Sequence, residues 1–348
     1  MQQPDAMNDS LISVIIPAYN AARTLSETIA TASGQSHRAI EIIIVDDGST
    51  DDTAAIARRH AAADDRICYI HQENRGVAAA RNRGIAAARG AFIATLDADD
   101  LWHPDKLALQ MARFAERGAA TALVYSWCCW IAEQGRVVGY APPKPWEGRI
   151  FDRMCRGDVI VSCSNALIRK DALLAAGGFD EGLRARGAQG CEDWSLYLQI
   201  ASRHDIGLAP HYLIGYRLSA GSISEDFGQM LRSYHLVEQQ FRPLHPDHGR
   251  AFDHGRAALS RSLALRAVRR KRYREAIALM AGYPDPKIAF GMWTVLWLLA
   301  APFRRWARRA RERFRGDMPH GFDDLVNQSR FCEPSGDVAL REEAVRPA

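Results

Sequence analysis

The sequence predicts an α/β protein built on a mostly parallel central sheet flanked by helices, with a helical extension at its C-terminal end. Two observations carry the prediction. Four apolar, β-branched runs alternate with segments of helical period between Leu11 and Asp100, the pattern of successive strand–helix–strand units. From about residue 228 the alternation stops and helical composition takes over.

The first run, LISVIIPAY, suits a strand covered on both faces and closes at Pro17, which has no N–H to give to a ladder. Residues 24–33 place Leu25, Ile29 and Ala32 on one helical face, and Gly34 follows as a C-cap. IEIIIVDDGST is a second buried strand that runs straight into two carboxylates. A helix at 51–63, a strand at RICYIHQ, a small-residue helix at VAAARNRGIAAARG and the strand AFIATLDADD complete the series. Beyond Asp100 the order loosens. LWHPDKLALQMARFAERG reads as one helix, ALVYSWCCWIA as a strand, and YAPPKPWEG, with three prolines in nine residues, as a loop. SCSNALIRKDALLAAGGF reads as strand, helix and glycine stop; CEDWSLYLQIASRH carries a helical face at Trp194, Leu198 and Ala201. Over 228–281, Leu263 and Ala267, then a stripe of Tyr273, Ala276, Ile277 and Met280, predict two packed helices.

Composition narrows the class. The 348 residues are 47% hydrophobic and 25% charged, which excludes a disordered, collagenous or disulfide-scaffold chain. A net charge of +4 does not by itself argue for a nucleic-acid partner. Its distribution is uneven: residues 1–240 hold 24 basic and 29 acidic side chains, net −5, and residues 241–348 hold 21 and 12, net +9. Seven cysteines without a C-x-x-C pair fit a reducing compartment. The N-terminal MQQPDAMNDS lacks the order of a signal peptide, so a cytoplasmic protein is expected.

Two acidic motifs stand where strands end, the edge at which open α/β sheets bind ligands. Asp46 and Asp47 precede Gly48-Ser49-Thr50, a turn that either holds carboxylates and N–H groups toward a ligand or merely caps the next helix. Asp97-Ala98-Asp99, with Asp100 next, can share one divalent cation with phosphate oxygens, although acids at strand ends also occur as solvated loop charge.

Taken together, VIIPAYN, IIIVDDGSTDDT, ENRGVAAARNRGIAAARG and FIATLDADDLWHPDKL, in this order and spacing, resemble the nucleotide-sugar-binding half of the bacterial, non-processive family-two inverting glycosyltransferases. The resemblance is strongest over 11–115 and extends through GGFDE and CEDWSLYLQIA to about residue 225. It implies a GT-A, or nucleotide-diphospho-sugar transferase, fold. It also implies roles. Pro17, Ala18, Tyr19 and Asn20 match the first nucleotide-contacting loop, and Asp47 with Asp46 the carboxylates that read base and ribose. Gly76 and Arg81 match the segment under the nucleotide, though Arg81 can equally cap a helix or pair with a neighbouring acid. Asp99 matches the principal ligand of a Mn²⁺ or Mg²⁺ ion, and Asp97 the second carboxylate, placed against ribose or metal. Asp193 matches the catalytic base, and Glu192 its orienting or acceptor-contacting neighbour. Trp194 is either a sugar platform or a core anchor. Ser219 stands where many relatives carry a metal- or phosphate-binding His, which makes Arg217 the phosphate candidate.

The implied activity is inverting transfer of a sugar, UDP-linked by default, to a hydroxyl of a saccharide or lipid-linked saccharide in cell-surface glycan synthesis. Absence of a Q-x-x-R-W motif implies one sugar per encounter. The expected organisation is a flexible 1–10, a catalytic domain over 11–227 divided at 115/116, a helical extension over 228–315 and a polar, flexible tail over 316–348. Within the extension, the uncharged 16-residue run 288–303 is followed by RRWARRARERFR. As a helix that run spans about 24 Å, short of a hydrocarbon core of roughly 30 Å. It therefore reads as an interfacial anchor, 288–315, at the inner face of the cytoplasmic membrane, or as a core helix with a basic face. The competing readings are an inactive nucleotide-binding scaffold and a membrane- or nucleic-acid-binding protein acting through the basic tail. Nucleic-acid binding is disfavoured by the acidic first part and the lack of interleaved aromatics, and a sugar-nucleotide pyrophosphorylase by the absence of a glycine-rich loop in VIIPAYNAARTL.

Overall fold

The computed structural model describes residues 10–219 and 225–281. The expected flexible N-terminus (apart from Ser10), the 288–315 segment and the 316–348 tail lie outside the described residues. The strands are β1 (Ile12–Ala18), β2 (Ile40–Asp47), β3 (Ile67–Gln72), β4 (Phe92–Thr95), β5 (Leu101–Trp102), β6 (Thr121–Ile131), β7 (Val137–Tyr140), β8 (Leu167–Arg169) and β9 (Asp205–Arg217). The helices are α1 (Leu25–Ser33), α2 (Thr53–Ala63), α3 (Val77–Ala87), α4 (Lys106–Arg117), α5 (Phe151–Cys155), α6 (Lys170–Ala175), α7 (Gly182–Ala185), α8 (Glu192–Arg203), α9 (Phe227–Phe241), α10 (Gly249–Arg269) and α11 (Tyr273–Ala281).

One sheet runs through the molecule in the order β3-β2-β1-β4-β8-β6-β9-β5, with β7 paired to β6. Its first half, β3-β2-β1-β4, is parallel. Every residue of β1 and β2 is buried, as their continuous apolar runs require of strands covered on both faces. The second half is mixed. β8 enters antiparallel to both β4 and β6, while β9 lies parallel to β6. Two hydrophobic clusters cover the sheet. One gathers Leu25, Ile29, Met111 and Phe114 against Ile12, Val14, Ile16 and Ile42. The other gathers Ala80, Ile85, Leu173, Leu196 and Ile200 against Ile15, Ile43, Val45 and Ile93. The alternating side chains of each strand thus serve opposite layers.

Four sequence expectations change. LWHPDKLALQMARFAERG is not one helix: Leu101 and Trp102 pair with Gly215 and Ile214 of β9, and α4 starts only after Pro104, which biases His103 away from helical backbone. Strand β9 has no counterpart among the strands expected from the sequence. In the C-terminal region three helices replace the expected two, since Pro243 and Pro246 end α9 before α10 begins. The predicted stripe on the last helix is also turned: Tyr273 and Ile277 are 56% and 60% exposed, whereas Ala276 and Leu279 pack with Phe227, Leu263, Ala264 and Ala267.

The boundary near residue 227 separates no cores. Tyr234, Val237, Phe241, Ala251 and Phe252 belong to the same cluster as Trp194, Leu196 and Met154. Gly255 permits this closure: a Cβ there would collide with Tyr234 Oη and stand 2.6 Å from the Cys155 carbonyl.

Candidate functional site

The strand ends of the parallel half open into a cleft of about 770 Å³. On one side lies the loop after β1. Pro17, Tyr19 and Asn20 border the cleft, Tyr19 is 54% exposed, and Ala18 is buried beneath. The loop is clasped to the turn after β2: Asn20 N–H donates to Ser49 Oγ, Ala21 N–H to Thr53 Oγ1 and Ala22 N–H to Asp51, while Asn20 Oδ1 accepts from Thr50 N–H at 2.9 Å. Asn20 holds a positive φ of 50°, a conformation asparagine tolerates better than most residues.

Asp46 and Asp47 do not border this cleft. The fully buried Asp46 carboxylate accepts from Ser49 N–H, Tyr69 Oη and His71. Burial would raise its pKa, but these bonds hold it below the usual value. Asp47 accepts from Gln72, Arg75 N–H and Gly76 N–H at 2.7–2.8 Å. Gly76 has a φ of 94°, and its missing Cβ leaves room for Arg184, which would otherwise stand 2.8 Å away.

The floor of the cleft is anionic. Asp97, Asp99 and Asp100 follow β4; Glu192 and Asp193 open α8; Asp158 comes from the loop after α5. Asp97 Oδ1 accepts from Arg81 at 2.7 Å, and Ser219 Oγ lies 3.4 Å from Asp99 Oδ2. Burial, then the neighbouring Asp97, pushes Asp99 up to about 6. Asp100 points away from solvent, accepting from Ser162, Ser164 and Arg217 N–H; burial and its two acidic neighbours push it well above the carboxylate range. Asp193 accepts from Trp194 N–H at 2.7 Å. Burial, then Asp158 and Glu192, drives its pKa well up against the pull of Arg81. Glu192 is held on both oxygens, by Arg81 at 3.0 Å and Gly190 N–H at 2.8 Å.

Arg81, Arg217 and Trp194 are placed differently from contact residues. Arg81 pairs with acids, the structural alternative read from the sequence. Arg217 donates to the carbonyls of Asp99, Ala132 and Glu133 and pairs with Glu27 at 2.7 Å, so its guanidinium is engaged by protein. Trp194 borders the cleft but is 2% exposed; its ring stacks on Tyr234 with centroids 4.4 Å apart and its Nε1 donates to the Met154 carbonyl. That is core-anchor packing.

Asp158 is a cleft residue that sequence reasoning misses. Its carboxylate accepts from Ile160 and Val161 N–H, and its carbonyl accepts from Lys144 Nζ at 2.6 Å. Val161 next to it has a φ of 78°, a genuine outlier for a β-branched residue and the kind of strain that collects at functional sites. A lone acid in a loop gives no spacing signal. The far wall of the cleft comes from the extension: Met230, Tyr234, Gly255, Ala258 and Leu259.

Among the described residues no group of three His, Cys, Asp or Glu side chains could hold a metal ion. Asp97 and Asp99 supply two carboxylates, crowded enough to raise Asp99, and Mg²⁺-type sites are completed in that case by substrate phosphates. The donor set therefore fits a hard divalent cation that arrives with a diphosphate. Among the described residues no helix is long and apolar enough to cross a membrane.

Comparison with known proteins follows the same line. The model of Glycosyl transferase family 2 matches residues 13–175. An uncharacterized glycosyltransferase of Rickettsia conorii is 36% identical over 221 residues, 62% of this chain but only 34% of that protein, so the chain spans about a third of its length. A UDP-Glc:α-D-GlcNAc-diphosphoundecaprenol β-1,3-glucosyltransferase of Escherichia coli is 30% identical over 239 residues, 66% of this chain and 86% of that protein. Among solved structures, a mannosyltransferase of Pyrobaculum calidifontis in complex with GDP-Man and Mn²⁺ superposes with a TM-score of 0.56 at 22% identity, covering 85% of this chain and 82% of that one. At that identity the likeness is one of fold, and the fold is GT-A.

Proposed function

Because the chain belongs to glycosyltransferase family 2, we propose that it transfers a sugar, with inversion, from a nucleoside-diphosphate donor to a hydroxyl of a saccharide or lipid-linked saccharide acceptor in cell-surface glycan synthesis. One observation carries the proposal. Asp193, a carboxylate with a strongly raised pKa, lines the same cleft as the Asp97–Asp99 pair, so a base and two carboxylates of the kind that hold a divalent cation face one space.

In this reaction Asp193 takes the proton of the acceptor hydroxyl, the hydroxyl oxygen attacks the anomeric carbon, and the bond from that carbon to the diphosphate oxygen breaks on the opposite face. A raised pKa suits a base that must accept a proton near neutrality. Glu192, fixed on both oxygens, orients the turn that carries Asp193. Asp99 and Asp97 are the residues that would hold a Mn²⁺ or Mg²⁺ ion, which would supply neutralisation of the departing diphosphate. Pro17 at the end of β1 and Tyr19 in the clasped loop after it are offered to the nucleotide, with UDP the first candidate. UDP-Glc and a diphosphoundecaprenol-linked acceptor in the name of the E. coli relative support that choice.

Isothermal titration with UDP, GDP and dTDP, each with Mn²⁺, Mg²⁺ or EDTA, tests the proposal. Metal-dependent binding of one nucleotide, lost in Asp99→Ala, is expected. No binding to folded protein would refute it in favour of a degenerate scaffold whose basic tail is the working part. Attachment to the inner membrane surface through 288–315 belongs to the same proposal; it requires salt-sensitive sedimentation with anionic vesicles that disappears when 288–315 is deleted.

A further inference from the structure

Arg81 rises from the middle of α3 and is 4% exposed. Its two terminal nitrogens point to different parts of the cleft: Nη2 lies 2.7 Å from Asp97 Oδ1, at the end of β4, and Nη1 lies 3.0 Å from Glu192 Oε1, at the start of α8. The guanidinium stands over the Phe179 ring, 5.2 Å from its centroid, and its Nε is buried with no hydrogen-bond partner among the described residues. Each terminal nitrogen is committed to a carboxylate, and the Nε is buried out of solvent's reach. A planar fork of fixed donors holds two carboxylates at a set angle, which the single ammonium of lysine does not. Glu192 is fixed from its other side by Gly190 N–H, and Asp193 is the next residue in the chain.

We infer that Arg81 is a positioning residue: it locks the Glu192-Asp193 turn to the Asp97–Asp99 strand end and so sets the base against the reacting carbon of the donor. The inference rests on the transferase reading of this cleft. It is opposed to a nucleotide contact, and the two differ in kinetics. A positioning group acts on the chemical step, where misplacement by about 1 Å lowers the rate by about 10²-fold. A nucleotide contact acts on donor affinity.

The test uses the full chain carrying Arg81→Lys, Glu192→Gln or both, with UDP binding by calorimetry and UDP release from UDP-glucose in Mn²⁺ as readouts. For Arg81→Lys, kcat should fall about 10²-fold while the UDP Kd and the donor KM move by less than about threefold. Glu192→Gln should show the same split, and the double variant should be no slower than the worse single. A UDP Kd weakened about tenfold with kcat retained, an unchanged kcat, or multiplying losses in the double variant would each overturn it. Thermal unfolding of the same set reads the link without substrate: non-additive changes in Tm support it and additive ones overturn it. Wild-type protein that binds no nucleoside diphosphate would instead refute the transferase reading, and the melting cycle would still decide whether Arg81 couples to Glu192.

Discussion

Replacing Asp99 with asparagine should make the metal-free protein more stable while removing its metal-dependent nucleotide binding. Asp99 has a pKa pushed from 3.8 to about 6 by burial and by the adjacent Asp97. At 1.36 kcal/mol per pKa unit, keeping it ionised at pH 7.5 disfavours the folded chain by up to about 3 kcal/mol. Because the folded chain holds this proton more tightly than the unfolded one, Asp99 erodes stability as pH rises from 3.8 to about 6 and no further above that. An asparagine side chain in its place carries no charge to bury. Scanning calorimetry in EDTA at pH 7.5 should therefore show Asp99→Asn melting roughly 4 to 6 °C above wild type. The gap should close as pH falls toward 4, where Asp99 is neutral in both states. With Mn²⁺ and a bound nucleotide at 100 times Kd, wild type gains about 2.7 kcal/mol that the variant does not, so the advantage largely cancels. An asparagine variant that melts at or below wild type in EDTA, or a gap that does not depend on pH, would refute the electrostatic account of this site.

Two further outcomes are expected. Asp193→Asn should lower kcat by about 10² to 10⁴-fold with an unchanged UDP Kd. The acid limb of the wild-type kcat profile should lie well above the ordinary carboxylate range, since turnover is lost as Asp193 takes up its proton, and that limb should vanish in the variant; near-normal turnover would transfer the base role to Glu192. Gly255→Ala should destabilise by about 1 to 3 kcal/mol in urea unfolding, because its Cβ would meet the Cys155 carbonyl, which cannot turn aside as a side chain could. An unchanged midpoint would show that α10 can move away from 155–156 without penalty.

The parallel half of the sheet was legible because burial on both faces leaves largely apolar runs, as in Ile12–Ala18 and Ile40–Asp47, the second ending on Asp46 and Asp47. β9 was not. Asp205–Arg217 contains Pro210, two glycines and His211, and it is held as a strand by its parallel pairing to β6, a tertiary fact. Leu101 and Trp102 were absorbed into a helix for the same reason, since only β9 makes them a strand. At the site, residue identity was legible where acids cluster at fixed spacing and partnership was not. The commitment of Arg217 to carbonyls and the stacking of Trp194 on Tyr234 depend on elements far away in sequence. Asp158 had no neighbour to mark it.

The shared cluster of Trp194, Tyr234 and Phe252 has a consequence for modularity. A protein whose cleft is walled by α9 and α10 cannot be shortened to the family-matched segment, nor can that segment be grafted ahead of a foreign module, without opening the cleft and its core together. The smallest piece that keeps this wall extends at least into α10, and α11 adds Ala276 and Leu279 to a second cluster with Phe227 and Leu263.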